Sequence, residues 1–439
     1  MSYEISKYPV EKLDPNADIQ PGFAFKSERF TDNPDDIPLV KGENVHQGYI
    51  DWHGAKHWPA DEYDSLSKYH LVPGDVVLAM DRPWVTSGLK WSYIKSHDPN
   101  SLLVQRVARI RAKNKLDQDY LRHVISSSYF ANYLQPIVTG VNVPHISGKQ
   151  IGAFRIPIPD PKAQRKIAAI LTAYDDLFEV NKRRIALLEN MAEEIYREWF
   201  VRLRFPGHQH TRFVKGVPEG WDYDRINTLV DFQSGYSFKS EYYNPFGRFG
   251  IVTIKNVHDG TFIPNCSDYM DEAPSNMKPH CYLNSGDILL SLTGNVGRVC
   301  RVYGNNLLLN QRVAKLRPVR ERSKCFVYLF FKQPNIMTFC EMIATGAAQQ
   351  NLSPIKIGNQ KTVIPPAELL HEFEGKVAPL FEKSTLLLET NKILSQTRDV
   401  LLPRLISGKL SVEELDIQFP HSMQDQPLTP VNTVEACHA

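Results

Sequence analysis

Five blocks of this sequence occur twice, in the same order, and that recurrence restricts the chain to folds built from two copies of one unit. GFAFKSERF (22–30) returns as GYSFKSEYY (235–243), PGDVVLAM (73–80) as SGDILLSL (285–292), and QRVARIR (105–111) as QRVAKLR (311–317). TGVNVPHIS (139–147) stands opposite TGAAQQNLS (345–353), and RIPIP (155–159) opposite TVIPP (362–366). The spacing drifts slightly along the chain, so small insertions separate blocks that keep their order. At 439 residues the chain also exceeds what one hydrophobic core usually serves.

Within each copy, short apolar and β-branched runs bounded by Gly, Pro, Asn and Asp predict strands: IPLV, DVVLAM and RVARIRA in the first, GIVTIKNV, DILLSL and VAKLRPV in the second. Helices are expected over Leu116 to Leu134 and Phe326 to Ile343, where apolar residues recur at steps of three and four. Each globular copy is therefore expected to be α+β.

Both copies then change character. From Lys162 to Phe200 there is neither Gly nor Pro, and Ile167, Leu171, Tyr174, Phe178, Asn181, Ile185, Leu188, Ala192, Ile195 and Trp199 mark a heptad seam. Leu370, Phe373, Val377, Leu380, Leu387, Asn391, Leu394 and Leu401 repeat the stepping, with Gly375 and Pro379 expected to kink the helix and Pro403 to end it. Neither stripe can be hidden alone, so the two helices are expected to pack as an antiparallel coiled coil, with Asn181 and Asn391 fixing register. The expected organisation is a first globular domain over 1–160, a spacer helix over 161–204, a second domain over 205–366 and a second helix over 367–408. A polar, proline-bearing tail over 409–439 is expected to be disordered.

Composition narrows the function by exclusion. The net charge is +2, from 51 basic against 49 acidic residues, so any polyanion-binding surface must come from local clustering. The six cysteines form no C-x-x-C pair and read as reduced thiols rather than zinc ligands. With no signal-like opening and no apolar run of membrane-spanning length, the expected location is cytoplasmic. Phosphate-loop, dinucleotide, nucleophile-elbow and zinc-protease motifs are all missing, so no catalytic residue or bound metal is expected.

Binding signals are stronger. Arg106, Arg109, Arg111, Lys113 and Lys115 cluster in the first copy, and Arg312, Lys315, Arg317, Arg320, Arg322 and Lys324 in the second, as phosphate contacts require. Polar loops flank these strands: DRPWVTSGLKW (81–91) against TGNVGR (293–298), and TGVNVPH against TGAAQQN. A shared frame with differing Asn, Gln, Arg and Thr is what reading two base sequences would need. The candidate DNA-binding residues are Lys26, Ser27, Arg82, Trp84, Lys90, Arg106, Arg109, Arg111, Asn142 and His145 in the first copy. In the second they are Lys239, Ser240, Thr293, Asn295, Arg298, Arg312, Lys315, Gln349, Gln350 and Asn351.

Taken together, the G-[FY]-x-F-K-S opening, the G-D-[VI]-[VL]-L strand, the Q-R-[VA] block, T-G-x(6)-[IL]-S before the I-P element, and helices like PDPKAQRKIAAIL and LLPRLISGKL resemble the specificity subunits of Type I restriction-modification enzymes. The resemblance spans residues 20–415 and implies two target-recognition domains, each followed by a long helix. It implies a bipartite double-stranded DNA site, no catalytic residues in this chain, two methyltransferase subunits, and restriction/translocase subunits as partners. S-adenosylmethionine, ATP and Mg are then expected on those partners and no cofactor on this chain. PPAELLHEF replaces PDPKAQRKI at the start of the second helix, so the two partner surfaces are expected to be unequal. Ile195, Tyr196, Trp199 and Phe200 are candidates either for partner docking or for core packing. The alternative function is a coiled-coil scaffold whose duplicated domains bind protein.

Overall fold

The computed structural model describes residues 6–85, 88–138, 144–346 and 350–424. The fold is α+β, and its contacts divide the chain into one unit of residues 1–178 with 394–439 and a second of residues 179–393. Each long helix is shared between the two units.

In the first unit a four-stranded antiparallel sheet has the order Trp91–Tyr93, Val76–Ala79, Val107–Ala112, Ala17–Pro21. A second sheet runs His57–Trp58, Ile37–Val40, Ser101–Leu103, His70–Leu71, with its central pair parallel. The second unit repeats both orders. Val299–Arg301, Ile288–Ser291, Val313–Pro318 and Val230–Ser234 make one sheet, and Tyr269–Met270, Phe249–Val252, Leu307–Leu309 and Tyr282–Leu283 the other, again with a parallel centre.

The shared glycine of the opening motif has a steric cause. A Cβ on Gly22 would lie 2.3 Å from the Val104 carbonyl, and one on Gly235 2.3 Å from the Asn310 carbonyl, closer than any real contact. That close approach lets the Phe23 N–H donate to Leu103 (3.0 Å) and the Tyr236 N–H to Leu309 (2.8 Å). The motif thus ties each copy's start to the strand before its Q-R block.

Each predicted helical stretch is divided in two. Leu116 to Leu134 becomes Gln118–Ser126 and Ser128–Val138, parted at Ser127, whose hydroxyl donates to the Val124 carbonyl. Phe326 to Ile343 becomes Lys324–Phe331 and Pro334–Ile343, because Pro334 has no N–H to continue the ladder.

The first long helix spans Pro161–Tyr196 and closes in a π-turn over Arg197–Val201; the second spans Ala367–Ile406. It runs on through Gly375, Pro379 and Pro403. Pro403 does not end it, because Leu402, Leu405 and Ile406 are buried in the first unit's core beside Ile167 and Leu171. Packing outweighs propensity here.

The seam follows the expected line on the first helix, where Ile167, Leu171 and Asn181 are buried and Leu188 half-buried, but Phe178 is 38% exposed. On the second helix Leu380, Leu387 and Leu394 are only half-buried, while Phe381 (5%), Ser384 (0%) and Asn391 (7%) are covered. Within the second unit Asn181 meets Asn391 and Glu189 meets Ser384, so contacts descend one helix as they climb the other.

Two other expectations change. The segment from Lys409 to Gln424 is not disordered: Val412 and Met423 are buried in the first unit's core, Ser422 donates to Asp176 (2.6 Å), and Arg165 lies 5.1 Å over Phe419. Its apolar residues lack a period but anchor singly. Residues 425–439 of the tail lie outside the described residues. Tyr196, Trp199 and Phe200 serve the second unit's core, with Phe200 4.8 Å from Phe326 and 4.9 Å from Phe373, and Ile195 packs beside them.

Candidate nucleic-acid interface

The strand Val76–Ala79 ends where its antiparallel neighbour Val107–Ala112 begins, so Asp81 and Arg106 arrive at one edge of the sheet. The main chain builds that edge. Met80 N–H donates to Arg106 (2.8 Å), Ile146 N–H to Met80 (2.8 Å) and Arg82 N–H to Pro144 (2.9 Å), and Asp81 bridges His145. Gln105 N–H donates to the Phe23 carbonyl (2.7 Å), which brings the opening motif to the same edge.

The side chains gathered there are polar. Asp81 accepts from Arg106 Nε (3.1 Å) and from His145 Nδ1; Nδ1 carries the proton because an ionised carboxylate only accepts. Arg106 keeps 68% of its side chain in solvent and sits in the left-handed region at φ 71°. Arg82, also at positive φ, is exposed.

The second unit builds the same edge with other side chains. Leu292 N–H donates to Arg312 (2.9 Å), Leu352 N–H to Leu292 (2.8 Å), and Thr293 bridges Asn351. Thr293 Oγ donates to Asn351 Oδ1 (2.9 Å), leaving the exposed Asn351 amide nitrogen and one oxygen lone pair outward. Arg312 is exposed and makes no ion pair among the described residues. Gln350 is exposed beside them, its carbonyl taking the Gly294 N–H (3.0 Å). Asn295 is exposed on the same loop and, with its amide oxygen turned toward Arg298, accepts from that guanidinium at 3.1 Å.

Cations of the basic strands are paired with carboxylates. Arg109 is 5% exposed, donates to the Lys68 and His70 carbonyls, and pairs with Asp18 (3.0 Å). Arg111 pairs with the buried Asp75. In the second unit Lys315 pairs with Asp287 (2.7 Å) and Arg317 with Asp231 (3.2 Å). The partners are exchanged: the aspartate after the Gly-Asp turn holds the later arginine in one unit and the earlier lysine in the other. These cations neutralise carboxylates of their own unit.

Lys90 is also withdrawn, being 9% exposed with its ammonium on the Gly42 carbonyl; burial lowers its pKa. Trp84 packs on the first unit's core with its indole nitrogen buried. Lys26 and Ser27 lie exposed at the turn Ser27–Arg29, as do Lys239 and Ser240 at the turn Ser240–Tyr242. Asn142 and Gln349 lie outside the described residues. Asp81, which completes the edge, was missed because an acid beside cations reads as a mismatch until its position is known.

No three His, Cys, Asp or Glu side chains among the described residues could hold a metal ion, and no described helix is long and apolar enough to cross a membrane. Burial pushes the Cys266 and Cys340 thiols up to about 12, which makes them poor nucleophiles.

The sequence and the fold are similar to those of known proteins. Residues 12–190 match the model of the family described as the Type I restriction modification DNA specificity domain. Over most of its length the chain is similar to specificity subunits of Type I restriction enzymes. The MjaIX specificity subunit of Methanocaldococcus jannaschii is 28% identical over 325 residues, covering 71% of this chain and 73% of that protein. The EcoKI specificity subunit of Escherichia coli K12 is 22% identical over 416 residues, covering 89% and 87%. The crystal structure of a Type-I restriction-modification system S subunit from M. genitalium shares the fold, with a TM-score of 0.56 at 15% identity over 94% of this chain and 98% of that one.

Proposed function

We propose that this chain is a non-catalytic subunit that reads a bipartite double-stranded DNA site, one half per globular unit. It directs methyltransferase and restriction subunits to that site, and S-adenosylmethionine, ATP and Mg2+ are bound by those partners. The observation that carries the reading is the recurrence of one sheet edge, Asp81–His145 with Arg106 in one unit and Thr293–Asn351 with Arg312 in the other. The main chain is the same and the polar groups differ, as reading two unlike half-sites with one scaffold requires. In this reading the paired helices set the number of unread base pairs between the halves.

Exchanging residues 22–150 for the corresponding stretch of a relative, and sequencing methylation in cells that carry the partner subunits, tests the proposal. One half-site changes and the other stays. Changes in both halves, or in neither, refute it.

A further inference from the structure

The edge contains two kinds of position. Arg106 and Arg312 are the same residue in both units, each joined to the neighbouring strand by the same main-chain bond. The bridge across from them is Asp81–His145 in one unit and Thr293–Asn351 in the other, so geometry is kept and chemistry is not. A contact that serves any sequence needs the same group at both half-sites; a contact that discriminates needs different ones.

Resting on the DNA reading above, we propose a division of labour at this edge. Arg106 and Arg312 hold backbone phosphates, while His145, oriented by Asp81, and Asn351, oriented by Thr293, determine which base each unit accepts.

The two exposed arginines suit phosphate. Arg312 is exposed with no ion pair among the described residues, and Arg106 engages Asp81 through Nε, which leaves its terminal nitrogens for an anion. Asn351 is pre-aligned. With one Oδ1 lone pair on the Thr293 hydroxyl, its remaining lone pair and amide N–H form the acceptor and donor that match N6 and N7 of adenine in the major groove. His145 is held the same way. Its Nδ1–H is committed to Asp81, so Nε2 is the atom turned to the groove, as a single contact rather than a forked one. The first unit's base should then be one a single acceptor or donor can distinguish, and its discrimination the weaker of the two.

The test is selection from a randomised duplex library by the intact chain, with titrations across salt. Asn351→Asp keeps the Thr293 hydrogen bond and removes the amide donor. It should lower the preference for one adenine in one half-site by roughly 5- to 150-fold, the range for a forked base contact, and leave the other half-site and the salt slope unchanged. Arg312→Gln should weaken binding to all sequences equally and reduce the logarithmic salt slope by about one. His145→Gln should alter a single position of the other half-site. An Asn351→Asp protein with unchanged preferences, or an Arg312→Gln protein with a changed base preference, overturns the division while leaving the DNA reading standing. Absence of salt-dependent binding by the unaltered chain overturns both.

Discussion

The Asn181 side-chain amide donates to Asn391 Oδ1 across 2.9 Å, and the two residues are 2% and 7% exposed. A buried amide pair on facing helices costs little while both partners are present and much when one is missing. Asn181→Leu should therefore destabilise the protein by about 1–3 kcal/mol, because Asn391 is left without its donor. The double replacement by Leu should recover that loss or exceed it. Chemical denaturation of the four proteins of the cycle measures the coupling, and additive single effects would show that the amides do not depend on each other.

Arg109 tests whether the basic strand serves the fold or the ligand. Its guanidinium is buried against Asp18 and two carbonyls, so Arg109→Gln should cost about 3 kcal/mol of stability. DNA affinity per folded molecule should hardly move. A large affinity loss in a protein of unchanged melting temperature would return this residue to the interface.

Gly22 and Gly235 offer a steric prediction. Alanine at either would place its Cβ against a carbonyl of the adjacent strand, at 2.3 Å before any relaxation. Each substitution should cost on the order of 3 kcal/mol, at the upper end of overpacking effects, since main chain must shift rather than a side chain. Gly42→Ala, with nothing near its Cβ, is the control and should be close to neutral in the same melts.

His123 gives the first unit a pH response. It is 2% exposed, and burial, then the nearby Arg122 and Arg398 charges, hold its pKa well below the usual 6.5, while Asp175 lies 3.8 Å away. The unfolded chain then takes up a proton that the folded one refuses. Stability should be full above about pH 6.5 and fall as pH drops below it, by up to about 1.4 kcal/mol per pH unit from this group. In urea titrations at pH 7.5, 6.5 and 5.5, His123→Gln should show a shallower decline than the parent. An equal decline would assign the effect to other groups.

If the paired helices set the gap between half-sites, inserting four residues between Arg183 and Ala192, with a matching insertion in the facing helix, should lengthen the pair by about 6 Å. The methylated site should then change its gap and keep both halves. An unchanged gap in an active complex would refute the spacer role.

Much of the frame was legible because its signals are local. The runs DVVLAM and RVARIRA became the strands Val76–Ala79 and Val107–Ala112, and seam asparagines identified by stepping alone proved to be partners. What escaped notice depends on residues distant in sequence. Arg109 and Asp18 are separated by most of the first copy, so counting cations suggested a phosphate grip where the fold builds an internal ion pair. Likewise Met423 and Phe419 have no periodic neighbours to announce them, and only the surface they cover shows that the segment is ordered. The shift from Leu380 to Phe381 and Ser384 has a similar origin, since the face a helix buries is chosen by what lies opposite.

In both units the polar edge is fastened by the same main-chain bonds: Met80 to Arg106 and Ile146 to Met80 in one, Leu292 to Arg312 and Leu352 to Leu292 in the other. No rung of that ladder asks for a particular side chain at the bridge, so residues there can be rewritten by mutation without putting the architecture at risk. If this edge reads DNA as proposed, a change of target asks for new side chains at the bridge and leaves the sheet that carries them as it is.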